Sequence, residues 1–450
     1  MEAMGTGRRL AVLLIALALI GVPAAALRAS CAGASCRSSA AAGTPAPFCA
    51  LPADLRALIT AGTYEGRSPD ALGVAGAQLL VSIVDYVRGR SVRVPWPSEA
   101  VAAPDAMAAP LLFIGRDIRT YALPSSIGLD KIAPTLEPIL GFRRPHPEVR
   151  SGQAIPGVAR PRVATRLVVL IVWKGVGARD VGGGRAPWLR GWSSDGGRTP
   201  TARGPGPGVA HGLASARSLP LDPVAVESTI GTGALPAQHG ITGTWVRGVR
   251  GQVTFAFGRG APSPVVAALG DDLDQITNGQ AKIGLIQDEV GDVGLTGDAW
   301  YGTGPVRDRT ITAKPDLPGQ VASFLTRGWG ADVTPDLLAV SVSRPVGSDD
   351  RSTGQIIDEV LAAVPDATIV VAGTGTLRAD GAPGIPHEPQ GVVPTPGGSP
   401  SGGYFVDRTA GSTTTSQDVI DEMRAQVVEY STPVYADAFA SYAVRFGRYC

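Results

Sequence analysis

Lysine is nearly missing from this chain. Of 40 basic side chains in 450 residues, four are lysines (Lys131, Lys174, Lys282 and Lys314) and the rest are arginines. Together with 59 glycines and 38 prolines, that imbalance marks a GC-rich coding background, so an arginine by itself carries little functional weight. Net charge is also lacking: 40 basic against 39 acidic groups leave +1. With no basic block in the chain, there is no electrostatic case for nucleic acid as a partner. Histidine is limited to His146, His211, His239 and His387, and cysteine to Cys31, Cys36, Cys49 and Cys450. No C-x-x-C pair of the zinc type is present.

What the chain does have begins with an export signal at residues 1–27. Arg8 and Arg9 precede an apolar run at 10–22, and small residues at 23–26 suit cleavage. The run is short for a membrane span, unless residues 24–27 extend it into an anchor. Cys31 is placed for lipid attachment, but Arg28 stands where that motif requires an aliphatic residue. The expected location is therefore extracellular or in the cell envelope, with membrane contact only through an N-terminal anchor or lipid. In an exported chain four cysteines favour disulfides, with three pairings open. Three of them follow the signal closely and the fourth is the last residue, so a bridge between the termini is expected.

A chain of this length, 44% hydrophobic, supports one large α/β domain with insertions or two smaller ones. Residues 28–48, rich in Ala, Ser, Gly and Pro, form a flexible lead-in. A short helix is predicted at 51–61, and the apolar run 79–87 is either a strand or a buried helix. Residues 111–114 are a short strand ended by Gly115, followed by a helix over 131–140 capped by Ser126 or Asp130 and stopped by Gly141. Residues 167–173 (L-V-V-L-I-V-W) are the best strand in the chain, apolar on both faces as a central parallel strand must be. A long irregular insertion covers 176–217. Beyond it come a helix at 263–269 and strands at 283–287, 335–342 and 367–372, with an amphipathic helix at 353–364 before the last strand. That alternation predicts a mostly parallel, doubly wound sheet. Low-complexity residues 388–416 read as a loop or linker, and residues 417–450 as C-terminal helices at 419–430 and 435–446.

Residues 228–243 read S-T-I-G-T-G-A-L-P-A-Q-H-G-I-T-G. Glycines beside small hydroxyl residues permit tight turns and close backbone approach. Pro236 ends any helix begun at Ser228, and Gly240 and Gly243 suit further turns. Taken alone this is a buried helix and a turn-rich connection. In order and spacing, however, Thr232-Gly233, Pro236 and His239-Gly240-Ile241 resemble the segment after the nucleophile in the alkaline phosphatase superfamily, especially its type I phosphodiesterase/nucleotide pyrophosphatase branch. A second stretch, A-P-L-L-F-I-G with L-D-K-I-A-P-T-L-E-P-I-L-G at 129–141, resembles the closing strand and helix of the same superfamily. Asp130, Ile132, Ala133, Pro134, Thr135 and Leu136 carry that match. Residues 167–173 resemble the opening strand of the same superfamily, and the closing segment precedes them, which implies an alkaline-phosphatase-like α/β domain over 49–450 that is circularly permuted. Residues 49–150 would be the transferred closing segment and 160–387 the main sheet. The resemblance then places strand 111–114 beside strand 367–372, and implies a bridge from Cys450 to Cys31, Cys36 or Cys49.

The resemblance implies phosphoryl or sulfuryl transfer at strand C-terminal ends, with two divalent metals activating a hydroxyl nucleophile. The residues for that chemistry are missing together. The opening strand should end in an aspartate ligand, but carries Lys174 before Gly175; its ammonium repels a divalent ion and could replace the metal's positive charge. The nucleophile position falls on Pro223 beside Asp222, a pair better suited to starting a helix, and Ser228 and Thr229 lie more than a turn beyond. Where a later strand should end in Asp-His-Gly, the chain has Gly373-Thr374-Gly375. His239 is expected to stabilise its turn, and His387 stands alone. Asp271, Asp272 and Asp274 read as a solvated helix end rather than a calcium loop. No metal or cofactor is expected. The leading expectation is a catalytically degenerate member with a binding or structural role toward an envelope ligand or protein. Lys174, Asp222 and Thr229 are its candidate anion ligands at a helix start. The alternatives are an active metal-dependent phosphodiesterase or phosphatase with other ligands, or a metal-free transferase using Asp222.

Overall fold

Leu167–Lys174 buries all eight of its side chains. Val168, Leu170 and Val172 enter one apolar layer, while Leu167, Val169, Ile171 and Trp173 enter another. Alternation sends successive side chains to opposite faces, so a strand apolar at every position must lie in a sheet covered on both sides. The computed structural model describes residues 52–69, 71–74, 80–85, 90–95, 106–159, 165–182, 207–287, 289–297, 300–301, 308–311, 316–343, 348–376, 392–394, 401–406 and 434–436.

Among these residues the strands, in chain order, are β1 (Ala71–Val74), β2 (Leu80–Asp85), β3 (Arg90–Pro95), β4 (Ala108–Gly115), β5 (Tyr121–Ala122), β6 (Ile127–Gly128), β7 (Leu167–Lys174), β8 (Gly208–Ser215), β9 (Trp245–Arg247), β10 (Val253–Phe255), β11 (Ile283–Gln287), β12 (Asp308–Ile311), β13 (Asp336–Ser343), β14 (Thr368–Gly373), β15 (Val392–Pro394), β16 (Ser401–Val406) and β17 (Val434–Ala436). Nine of them form one mixed sheet in the order β12-β11-β13-β7-β14-β4-β8-β5, with β6 also on β8. The run from β12 to β14 is parallel. β4 runs against both β14 and β8, and β5 and β6 run with β8. One face packs on the helices Ile132–Ile139, Pro223–Thr232 and Leu269–Ile276, the other on Leu317–Thr326 and Ser348–Ala363. The chain is α/β with a large, mostly parallel sheet. Strand 111–114 does lie beside strand 367–372: Leu112 is opposite Val371 and Ile114 opposite Ile369.

The two segments singled out in the sequence interlock. Gly233 closes the Pro223–Thr232 helix at φ 72°, and a Cβ built there would come within 2.8 Å of Pro134. Gly152 donates its N–H to the Gly233 carbonyl at 3.0 Å. Gln238 Oε1 accepts the N–H groups of both Leu235 and Ser151. Thr135 donates to the Lys131 carbonyl and accepts from the Ile155 N–H.

Several expectations need correction. Asp130 caps no helix; it is buried and accepts from Ser151 Oγ at 2.9 Å. The helix expected at 263–269 starts only at Leu269, after an extended Ala268 whose N–H donates to Asp271 at 2.9 Å. Pro236 opens a short helix of its own rather than ending the previous one, which Gly233 has already stopped. The end of the supposed insertion is β8, eight residues paired along β4. Its small residues carry no strand signal, and the neighbouring strand decides their conformation. Residues 392–394 and 401–406 of the supposed linker are β15 and β16, joined with β1 and β17 in a separate four-stranded sheet. Tyr435 and Ala436 are therefore strand, not helix. The stretch 79–87 resolves as strand β2, paired with β3. Residues 1–27, expected to be the export signal, the four cysteines, His387 and residues 419–430 lie outside the described residues. Among the described residues no helix is long and apolar enough to cross a membrane.

The interlock gives a stability prediction. Gly233→Ala puts a Cβ at positive φ, which costs about 1–2 kcal/mol, and forces it against Pro134, which adds roughly 1–3 kcal/mol. Urea unfolding of the full chain should show a loss of at least about 2 kcal/mol; an unchanged midpoint would mean that the two segments do not pack this closely.

Candidate functional site

The C-terminal ends of β7, β11, β13 and β14 bring Lys174, Gln287, Ser341 and Thr374 to the edge of the sheet where open α/β sheets place their ligands. By alternation Lys174, Gln287 and Ser341 lie on the face covered by the Pro223–Thr232 helix. Lys174 is buried, and its Nζ donates to Asp292 Oδ1 at 2.6 Å and Glu289 Oε1 at 2.7 Å. Asp292 is fully buried while the Glu289 side chain is 48% exposed. Burial alone would lower the Lys174 pKa, but Glu227, Asp292 and Glu289 outweigh it and raise the value, keeping the ammonium charged.

Glu227 is the third carboxylate of this centre and has no exposed surface. Its Oε1 accepts from Ser341 Oγ at 2.7 Å, its Oε2 meets no donor among the described residues, and the carboxyl lies within hydrogen-bonding reach of the Asp292 side chain. Burial and the charge of Asp292 hold its pKa well above the usual carboxylate range, against the opposing pull of Lys174 and Ser341. Gln287 Oε1 and Ser228 Oγ are likewise buried without a partner among the described residues. Sequence reading found Lys174 but missed Glu227, Glu289 and Asp292. A signal was available for Glu227: one carboxylate inside the otherwise uncharged V-A-V-E-S-T-I run of a core helix. Glu289 and Asp292 sit just past β11, one at the start of the 3-10 segment Val290–Leu295 and the other within it, where nothing local marks them.

The other sequence-derived site residues are engaged elsewhere. Asp222 is the N-cap of the Pro223–Thr232 helix, with Pro223 in the first turn. Its Oδ1 accepts from the Val224 N–H at 2.9 Å and from Thr244 Oγ1 at 3.1 Å. Burial raises the Asp222 pKa, and these donors pull it back. Thr232 Oγ1 donates to the Ser228 carbonyl. Thr374 Oγ1 accepts from the Gly175 N–H, which ties the end of β14 to the end of β7. Gly373 is glycine for space, since a Cβ there would lie 2.2 Å from the Val176 carbonyl oxygen. Of the three candidate anion ligands, Lys174 is taken by carboxylates and Asp222 by its cap, and neither shares a partner with the other. The third, Thr229, donates to the Ala225 carbonyl at 2.9 Å.

His239 completes that chain of hydrogen bonds. Its Nδ1 accepts the Ile241 N–H at 3.1 Å, which leaves Nε2–H to donate to Thr229 Oγ1 at 3.1 Å. The imidazole is therefore neutral, and burial, helped by the charge of Arg67, lowers its pKa to about 3. Gly240, at φ 80°, lets the chain turn directly after it. The acidic group at 271–274 is the opposite of a solvated helix end, since all three aspartates are buried. Asp272 accepts from Arg144 Nε at 2.6 Å, Arg150 at 3.2 Å and Tyr301 Oη at 2.6 Å. Arg144 and Arg150 also donate to the Thr232 carbonyl at the end of the central helix. Only the fold brings those arginines, more than a hundred residues away, to the aspartate.

Two measurements test this geometry. Lys174→Met leaves Asp292 buried without its cation and should lose about 3–5 kcal/mol in chemical unfolding. Adding Asp292→Asn should recover part of that loss; a double variant no better than the single would show that the pair is not coupled. The His239 ring should keep neutral NMR shifts down to about pH 4. Its depressed pKa also means that its contribution to stability is present above the unfolded value near 6.5 and is lost as pH falls toward 3. Ring protonation between pH 6 and 7 in the folded protein would overturn the assignment. No family model and no curated protein matches the chain.

Proposed function

We propose that the chain is an exported, circularly permuted and catalytically degenerate member of the alkaline phosphatase superfamily, with a binding or structural role in the cell envelope. The observation that carries this reading is the buried Lys174 ammonium at the end of the central strand, hydrogen-bonded to Asp292 and Glu289. In the superfamily that strand end presents an aspartate to a divalent metal; here a fixed positive charge takes the place of the ion, and the surrounding carboxylates are committed to it. Pro223 at the nucleophile position offers no hydroxyl, and Asp222 beside it serves as a helix cap. The permuted order is supported by β4, which precedes β7 in sequence yet pairs with β14, the last strand of the main sheet.

One preparation tests the reading. Purified full-length protein should contain no stoichiometric zinc or manganese and should not turn over an aryl phosphodiester, with or without added metal. Metal at one or two equivalents together with turnover would replace this reading with that of an active phosphoric ester hydrolase. Titration with phosphate, sulfate and a phosphodiester examines the anion-binding version of the role. Because Lys174, Asp222 and Thr229 are already engaged, binding that depends on them is not expected, and saturable binding abolished by Lys174→Met in a still-folded protein would restore it.

A further inference from the structure

We propose that Glu227 is a proton-binding site, and that the proton it carries latches the Val290–Leu295 segment onto the Pro223–Thr232 helix. The argument starts from charge. Lys174 supplies one positive charge to three carboxylates. Glu289 is half open to water and tolerates its own charge there. That leaves Glu227 and Asp292, both fully buried, to share a single ammonium. Two buried negative charges against one positive leave an uncompensated charge in a dry site, and a proton removes it. Asp292 takes the ammonium's hydrogen bond and a second from the Glu289 N–H at 3.1 Å, so it is the better seat for the negative charge. Among the described residues Glu227 has one donor, Ser341, and an oxygen with none. The proton belongs on Glu227.

The segment that carries Asp292 is held to the helix in an unusual way. Its contact is made through glycines: a Cβ on Gly231 would lie 2.1 Å from the Gly294 carbonyl oxygen, one on Gly291 2.4 Å from Val224, and one on Gly294 2.3 Å from Ser228 Oγ. Backbone lies directly on helix, and of the segment's side chains Val293 and Leu295 enter the main apolar layer. When the Glu227 O–H bond breaks and the proton leaves to a solvent base, the electron pair stays on Glu227. The new carboxylate then repels Asp292 across this close contact, and the repulsion acts to open it.

The charged groups acting on Glu227 are Lys174 from β7 and Asp292 from the segment itself. The remaining titratable groups on elements packed against the helix have other partners. Asp130 holds Ser151, Asp271 caps Ala268, Asp272 is bound by both arginines and Tyr301, and His239 is neutral. Lys131 lies beside Asp130, Glu137 in the field of Arg144, and Asp274 one turn along the Leu269–Ile276 helix from Asp271. The latch is independent of the functional reading and would hold equally for an active hydrolase.

Hydrogen–deuterium exchange of the full chain, corrected for intrinsic rates, tests it at residues 289–295. A carboxyl whose folded pKa is raised stabilises the closed form below the ordinary carboxylate range and loses that effect as pH climbs through the folded value. In the wild type, opening of the segment should therefore increase by about tenfold per pH unit across that interval and then level off. Glu227→Gln, permanently neutral, should flatten the profile. Ser341→Ala removes the one donor to the ionised form and should push the levelling-off to higher pH, which keeps the test open if the glutamine variant does not fold. A flat wild-type profile, an unchanged slope in Glu227→Gln, or a levelling-off that stays put or moves down in Ser341→Ala would each overturn the latch.

Discussion

A lysine ammonium taken out of water must be neutralised where it lies, and much of this sheet edge is arranged around that constraint. Lys174 ends a strand with no exposed side, so its charge cannot escape along the strand. Asp292 and Glu289 come to it from a segment after β11, and Glu227 from the helix that covers the sheet. Two distant parts of the chain are thereby fixed against β7. The ions do not make this edge strongly stable in themselves, since replacing a buried pair by apolar groups is often neutral. What they do is make the arrangement specific, because removing Lys174 strands a buried Asp292 and removing Asp292 takes from the buried ammonium its fully buried counter-charge.

The second organising feature is closure of the sheet by a strand that comes before its centre. β4 pairs with β14 on one side and β8 on the other, and runs against both. The helix that follows it, Ile132–Ile139, then packs over the same face as the central Pro223–Thr232 helix. Pro134 against Gly233, and Arg144 and Arg150 on the Thr232 carbonyl, finish that helix with groups from the early part of the chain. The C-terminal carbonyls of a helix need such partners when they are buried. Here a resemblance visible in two short sequence segments becomes a physical contact between them.

Some of this was determined by the sequence by itself. L-V-V-L-I-V-W, apolar on both faces, could only be a central strand, and Asp222-Pro223 could start a helix by local chemistry alone. Gly141, Gly233 and Gly240 mark turns because a left-handed backbone at those points admits little else. Lys174 stood out because lysine is rare here and because a charge at the end of so apolar a strand needs an answer. Tertiary structure decided the answer. The identity of its partners depends on which loops arrive at that edge, and neither E-V-G-D after β11 nor one glutamate in an apolar helix states where it will point. The same holds for Asp272, whose three donors come from residues 144, 150 and 301. It holds again for β8, whose many small residues carry little strand preference and become a strand because a neighbour offers unpaired backbone groups. Propensity and periodicity act over a few residues, so they fixed the central strand and the turns; charge neutralisation and strand pairing act across the whole chain, and only the folded arrangement could settle them.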